Sequence, residues 1–248
     1  FPYTTLFRSW ENHQTLKYNF SLFNTSLGCN TSDGFKRVYL NVRNVYNETT
    51  RNVTANITLD TTPPLIELHE PSDDTLAQEE TVDFEFNATD TLSTVSWCKL
   101  YVNNTVKDTI ITPAEGIRHN LTHTFTATGP YQWSIRCIDD VNHQNDSETR
   151  NLTVDITPPS INTVNVTPST IGFNQTVNLT ANITEQYGNV SQAWATITYP
   201  DSSTARVNLT NTSTDIYEGN FSDTWDAVNY QVQVHANDTG HWTASNPQ

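Results

Sequence analysis

Eleven residues occur almost twice in this chain, and the interval between the copies limits what it can fold into. Residues 56–66 read Asn-Ile-Thr-Leu-Asp-Thr-Thr-Pro-Pro-Leu-Ile; residues 151–161, 95 positions later, read Asn-Leu-Thr-Val-Asp-Ile-Thr-Pro-Pro-Ser-Ile. Each copy alternates like a strand, ends at Asp60 or Asp155, and then meets a proline pair, Pro63-Pro64 or Pro158-Pro159. Proline has no N–H to give a sheet and a fixed φ, so the pair ends the strand and stiffens the crossing into the next unit. An internal period of this length predicts small sandwich domains in tandem rather than one large core. The expected units are 10–62, 63–157 and 158–248. The first is only about half a domain long. In the third, the chain stops ten residues past Asp238, so it is expected to lack the last strand that Ser147–Asp155 supplies in the second. Both ends therefore read as cut. An edge left open in this way accepts a strand from a neighbour; the alternative is a longer parent chain that simply continues. Residues 1–9, Phe-Pro-Tyr-Thr-Thr-Leu-Phe-Arg-Ser, resemble the in-frame translation of a common sequencing adapter and are read as an assembly artefact.

A second correspondence supports the first. Tyr131 to Asp139 (Tyr-Gln-Trp-Ser-Ile-Arg-Cys-Ile-Asp) aligns with Tyr230 to Asp238 (Tyr-Gln-Val-Gln-Val-His-Ala-Asn-Asp), an offset of 99. Tyr131, Trp133, Ile135 and Cys137 fall on one face; Gln132, Ser134 and Arg136 fall on the other. Val82, Phe84 and Phe86 alternate with Asp83 and Glu85, and Val177, Leu179, Ala181 and Ile183 alternate with polar residues. Val38, Leu40 and Val42 give a shorter version in the first unit. No stretch reads as a helix of ordinary length, so the expected fold class is all-β.

The formal net charge of −15, with 12 Lys plus Arg, argues against nucleic acid or an anionic membrane as partner. No segment approaches the roughly 18 apolar residues of a membrane helix. No signal peptide is visible and there is no methionine, so an internal or processed piece is expected, its targeting segment lost.

Asparagine followed by any residue but proline and then Ser or Thr is the acceptor of N-linked glycan, and it occurs at twenty positions. They are Asn19, Asn24, Asn30, Asn47, Asn52, Asn56, Asn87, Asn103, Asn120, Asn145, Asn151, Asn165, Asn174, Asn178, Asn182, Asn189, Asn208, Asn211, Asn220 and Asn237. With Ser and Thr at 58 of 248 positions, 28 asparagines would produce about 6.5 such triplets by chance. The motif itself has period 2. Asn178, Thr180, Asn182 and Thr184 therefore share one face of a strand, behind Val177, Leu179, Ala181 and Ile183. Asn52, Thr54, Asn56 and Thr58 repeat the arrangement over Val53, Ala55, Ile57 and Leu59. Asparagine and threonine as polar filler would also give outward faces, but asparagine is a poor strand former.

Other candidate chemistry is thin. His119 and His123 share a strand face with Leu121 and Phe125 and have no carboxylate or thiol close by in sequence, which favours packing over a metal. Asp73, Asp74, Glu79, Glu80, Asp83 and Glu85 form an acidic stretch, and Asp139-Asp140 is expected near a domain junction. Calcium stiffening a linker is conceivable there; no spaced ligand loop is present, so solvated charge is the plainer reading. No Ser/His/Asp or Cys/His arrangement stands out, nothing selects a carboxylate pair for glycoside hydrolysis, and 8 Gly form no phosphate loop.

Cys98-Lys-Leu-Tyr-Val-Asn-Asn, Tyr131-Gln-Trp-Ser-Ile-Arg-Cys-Ile-Asp-Asp and Asp155-Ile-Thr-Pro-Pro together resemble tandem immunoglobulin-like repeats of archaeal and bacterial cell-surface proteins. The resemblance covers residues 60–248 well and 10–60 weakly. It implies immunoglobulin-like β-sandwiches, with a Cys98–Cys137 bridge across the two sheets packed against a Trp; two buried free thiols are the alternative. The third unit departs from the pattern by lacking both cysteines. Cys29 is left over, its partner expected in the missing half of the first unit or in another chain. Such repeats imply stalks, adhesins, surface layers or extracellular fibres, with no enzymatic activity and no cofactor beyond covalent glycans. The expected function is a structural extracellular glycoprotein that meets copies of itself head-to-tail or by strand donation. The rival is an adhesin or carbohydrate-binding module using Trp194, Trp225 or Trp242, and a third reading is an enzyme whose catalytic domain lies outside residues 1–248.

Overall fold

A computed structural model of the protein describes residues 32–43, 49–226, 229–240 and 242–246. Residues 1–9, Cys29, Asn19, Asn24, Asn30 and Asn47, and the side chain of Asn52, lie outside the described parts. Among the described residues there are eighteen β-strands and no helix. No helix long and apolar enough to cross a membrane is found among them.

The first unit contributes a hairpin, β1 (Gly34–Arg43) with β2 (Thr49–Leu59), running from Gly34 opposite Leu59 to Arg43 opposite Thr49. The second contains β3 (Leu65–Leu68), β4 (Thr75–Ala77), β5 (Thr81–Thr89), β6 (Val95–Val102), β7 (Thr105–Ile111), β8 (His119–Thr124), β9 (Gly129–Asp139), β10 (Gln144–Asp146) and β11 (Arg150–Val154). One sheet is ordered β3-β5-β8. The other is ordered β4-β11-β9-β6-β7, with β10 also on β9. The pairing is antiparallel except between β4 and β11, so the segment before β5 is shared between both sheets.

Period 2 does the folding. Strand β5 turns Val82, Phe84, Phe86 and Ala88 inward, meeting Leu100, Trp133, Ile135, Leu152 and Val154 from the opposite sheet. Phe84 packs edge-on against Trp133 with centroids 4.9 Å apart. The third unit contains β12 (Ser160–Thr167), β13 (Val177–Thr184), β14 (Val190–Thr198), β15 (Thr204–Ser213), β16 (Ile216–Phe221), β17 (Gln231–Asp238) and β18 (Thr243–Ser245). Its strands run β12-β13-β16-β15-β14-β17-β18 because β15 changes sheets. Residues up to Leu209 pair with β14, and those from Thr210 pair with β16. A strand that turns such a corner lets one continuous ribbon close over its own apolar face. Strand β18 stands where β10 does in the second unit, 99 residues on. The chain is thus all-β, built of tandem immunoglobulin-like β-sandwiches.

The disulfide departs from expectation. Cys98 and Cys137 are bonded, but they lie directly opposite each other on β6 and β9, neighbours in one sheet. The bridge expected between sheets is a bridge within one, because the second cysteine's partner strand is β6 rather than β5. On β5 the inward positions facing this region hold Phe84 and Phe86 instead. In the third unit the equivalent cross-strand pair is Ala193 opposite Ala236, both buried.

This correspondence predicts two opposite outcomes. C98A/C137A destabilises the second sandwich by about 4 kcal/mol, from the 39-residue separation the bridge closes. A193C/A236C oxidises to a bridge and stabilises the third by no more than about the same amount. Denaturant titration followed by tryptophan fluorescence, with and without reductant, checks both.

Candidate functional site

The chemistry-bearing residues gather where one sandwich hands over to the next. Asp155 follows β11 directly and opens the linker, its N–H bonded to Ala77 O at 2.8 Å. Its Oδ1 accepts from the Thr157 N–H and hydroxyl at 3.3 and 3.1 Å, a local turn that starts the Thr-Pro-Pro crossing. Asp238 ends β17, and its Oδ1 accepts the Trp242 N–H at 2.9 Å, closing the turn into β18. Glu185 follows β13, its Oε1 accepting the Gln186 N–H at 2.8 Å. Each carboxylate thus uses one oxygen to hold nearby backbone.

The three carboxylates also lie close together. Asp155 Oδ2, Glu185 Oε2 and Asp238 Oδ2 are buried and accept no hydrogen bond among the described residues. One carboxylate oxygen from each residue lies within 4.8 Å of the others. Asp155 and Asp238 are completely buried, with 0% of their surface exposed. Like charges at this spacing repel by roughly 3–4 kcal/mol for each pair at an effective dielectric near 20. Burial first, and then the Asp155 and Asp238 charges beside it, push the Glu185 carboxyl above its usual range, while the Gln186 N–H pulls the other way.

The first junction repeats this plan with one change. Asp60 Oδ1 accepts the Thr62 N–H and hydroxyl at 3.0 and 3.1 Å, as Asp155 does 95 residues later. Asp139 Oδ1 accepts the His143 N–H at 2.8 Å, as Asp238 does from Trp242 99 residues later. Asp90 holds the place of Glu185, its Oδ1 accepting the Leu92 and Ser93 N–H groups. The change is at position 143. His143 Nδ1 sits 3.0 Å from Asp139 Oδ2 and gives that oxygen a partner. Trp242 cannot do this for Asp238, because its indole N–H points to Gln78 O at 3.2 Å. Among the described residues, Asp60, Asp139 and His143 form one group that could hold a metal and Asp155, Glu185 and Asp238 the other.

Contacts from the second unit reach across the second joint. Gln78, just past β4, meets the hydroxyl of Thr239 through its amide. A Cβ on Gly240 would fall 2.8 Å from Gln78 Cβ and 3.0 Å from Gln78 O. Gly188, at φ +80°, brings the β13–β14 turn against Leu76 and Gln78. The same end of the third unit therefore supplies Glu185, Asp238 and the surface on which β4 rests.

The acidic stretch singled out in sequence gathers no such group among the described residues. Asp73 Oδ1 accepts the Asn151 N–H at 2.7 Å and Glu85 pairs with Arg118 at 2.8 Å, while Glu80 and Asp83 are exposed. His119 Nε2 lies 2.7 Å from Ala114 O, and His123 packs edge-on against Phe125, its burial lowering its pKa. Among the described residues neither histidine joins a ligand cluster. The three tryptophans keep separate company. Trp194 stacks on His235 under Arg206, Trp225 meets Phe173 edge-on, and Trp242 belongs to the joint.

Of the acceptor asparagines with described side chains, Asn56, Asn103, Asn120, Asn151, Asn165, Asn174, Asn189, Asn208, Asn211 and Asn220 are exposed. Asn87, Asn145, Asn178, Asn182 and Asn237 are half-buried, and none is in a core. Asn165, Asn178, Asn182 and Asn220 share the outer face of β12, β13 and β16, where Asn178 stands directly opposite Asn220. Asn145 is engaged otherwise, its amide donating to Pro64 O at 2.9 Å. Asp155, Glu185 and Asp238 were the residues hardest to see as a site; their recurrence at the repeat interval was the available signal.

No protein-family model and no curated protein matches the chain. Among solved structures it is similar to the fibronectin(III)-like modules of Clostridium thermocellum CbhA, at 18% identity and TM-score 0.33, covering 73% of this chain and 90% of that one. It is similar to a tetra-tandem repeat from the extending region of a large adhesion protein, at 20% identity and TM-score 0.36, over 86% of this chain and 55% of the other. Domains A168–A170 of titin match at 13% identity and TM-score 0.44, over 86% and 72% respectively. At these values the fold assignment rests on the strand pairing itself, and nothing of those proteins' activities carries over.

The joint makes its own prediction. Gly240→Ala has no backbone penalty to meet at that position, so its effect comes from the clash with Gln78. Its expected outcome is a third unit with an unchanged unfolding midpoint but a loosened joint, seen as a broader small-angle scattering profile and faster proteolysis at the linker.

Proposed function

We propose that this chain is part of a structural extracellular glycoprotein, a stalk or fibre subunit whose tandem sandwiches carry N-linked glycans on their outer faces. The observation that carries this reading is the placement of the acceptor asparagines. Where a strand alternates, its apolar residues are inside and its Asn-x-Thr residues outside, as on β13. Chance enrichment in a polar chain would scatter asparagines over turns. Here they are concentrated on strands, where asparagine is disfavoured. Glycans on these faces would shield exposed strands from proteases and from pairing with other chains. The acidic surface and the proline-stiffened linkers suit an extended, mutually repelling rod.

Assembly with copies of itself belongs to the same proposal. It takes the form of head-to-tail contact or of a strand donated to an open sheet edge. One observation favours the adhesin or carbohydrate-binding alternative: Phe173 and Trp225 are 69% and 52% exposed with centroids 4.8 Å apart. Sugar faces stack on such rings. Asn174, an acceptor adjacent to Phe173, weighs against a bare binding patch there.

Glycopeptide mass spectrometry on protein from its native source tests the reading. Most exposed sites, Asn165, Asn208 and Asn220 among them, are expected to be occupied. Asn145, its amide held by Pro64, is expected to be the least occupied. Uniformly bare asparagines would remove the proposal and leave the adhesive alternative.

A further inference from the structure

The second joint poses an electrostatic problem that the described groups do not solve. Three carboxylates from three elements (the linker after β11, the end of β13 and the end of β17) meet with one unpartnered buried oxygen apiece. Buried charge is ordinarily neutralised by a proton, by an opposite charge or by a metal. Among the described residues, no Lys, Arg or His has an ion pair with any of the three. The Trp242 indole, which stands in the place of His143, is committed to Gln78.

We propose that Asp155, Glu185 and Asp238 bind one calcium ion, and that this ion clamps the third sandwich to the linker and the second. The donor set is all oxygen and all carboxylate, which selects a hard cation over zinc or copper. Calcium–oxygen distances of about 2.3–2.6 Å let one ion touch atoms up to about 4.6–5.2 Å apart. The observed oxygens, within 4.8 Å of each other, fit that reach. Magnesium, with shorter bonds and a stricter octahedron, demands a tighter set and keeps its waters. Calcium completes its six to eight ligands with backbone carbonyls and water, so three protein carboxylates are a sufficient nucleus.

Placement sets the consequence. Asp155 is linker, whereas Glu185 and Asp238 belong to the third unit, and Ala77 O holds Asp155 to the second. A bound ion therefore removes freedom from the hinge itself. The first joint is the internal comparison, since His143 already partners Asp139 Oδ2 and makes that donor set a mixed one. The binding claim stands on geometry alone; its role in stiffening a stalk rests on the functional reading above.

The test uses the full chain, made without glycans, stripped with chelator and titrated with calcium chloride in a calorimeter. One calcium per chain is expected, with magnesium chloride at equal concentration binding far more weakly. D155N and D238N are expected to weaken calcium affinity by about tenfold or more, since charge count tunes such sites, whereas D60N retains it. E185Q replaces the least buried ligand and relieves repulsion in the stripped protein, so it keeps the fold even where the Asp variants do not. Its loss of calcium affinity decides the matter in that case. Small-angle scattering of the wild type is expected to narrow towards one inter-unit arrangement on adding calcium. Absence of binding, binding that survives E185Q, or binding lost in D60N overturns the site. Calcium that binds without changing the scattering overturns the clamp. Because the glycan-free chain is used, neither outcome bears on the glycopeptide result.

Discussion

Two-residue periodicity is the constraint on which everything else in this protein rests. A strand offers alternate positions to the core and to water, so a thin sandwich needs about half of each strand to be apolar and leaves the other half open. In β13 the inward half is Val177, Leu179, Ala181 and Ile183, and these alone join the core. The outward half is then free to carry any polar chemistry without altering the fold. A glycan acceptor triplet has the same period, so it fits the outward half without disturbing the inward one. Fold and surface are in this sense written in separate, interleaved residues.

The two cores show how the same plan tolerates different packing. In the second unit the large rings Phe84, Phe86 and Trp133 fill the gap between sheets, and the Cys98–Cys137 pair ties neighbouring strands. In the third, Val232 replaces Trp133 and two alanines replace the cysteines. The space shrinks accordingly, with Ala181, Ala195 and Ala236 all at or near zero exposure. Continuity through β15, which passes from one sheet to the other, holds the two layers of that unit together where no covalent tie exists.

This contrast explains what was legible in the sequence. Alternation at 82–86, 131–139, 177–183 and 231–238 announced four strands, and the repeated Asp-x-Thr-Pro-Pro announced the joints. That Cys137, the partner of Cys98, points inward followed from the same alternation. That they are neighbours in one sheet did not, because periodicity assigns a residue to a face and says nothing about which strand lies alongside. Sheet order is decided by packing among Phe84, Phe86 and Trp133, a property of distant segments together. The carboxylate groups were hidden for a related reason. Asp155, Glu185 and Asp238 span 83 positions, and each alone reads as an ordinary solvated acid at a strand end. The dense run from Asp73 to Glu85 is the stronger acidic signal in the sequence, yet strand geometry sends its members to different partners.

What distinguishes the strand-end acids is that the repeat preserves their acidity at all three places, even where it changes the strand before them. Asp60 and Asp155, Asp90 and Glu185, and Asp139 and Asp238 stand at matching places; the strand before the first pair is nearly repeated, whereas the strands before the other two differ at most positions. Each residue first serves its own turn, one oxygen fixing the backbone that leaves the strand. Turn formation explains one oxygen per carboxylate; Asn would serve that purpose as well and bring no charge. The second oxygen of Asp155, Glu185 and Asp238, buried and without a partner among the described residues, is the part that turn chemistry leaves unexplained. A joint that needed only a stiff crossing already has Pro158-Pro159 and the Gln78–Trp242 contact. Keeping three negative charges together beside them destabilises the joint when nothing positive is present and stabilises it when a cation is. With the proposed cation, the angle between sandwiches would depend on the surrounding solution, rigid when the ion is bound and loose when it is not, while each sandwich keeps its own alternating core.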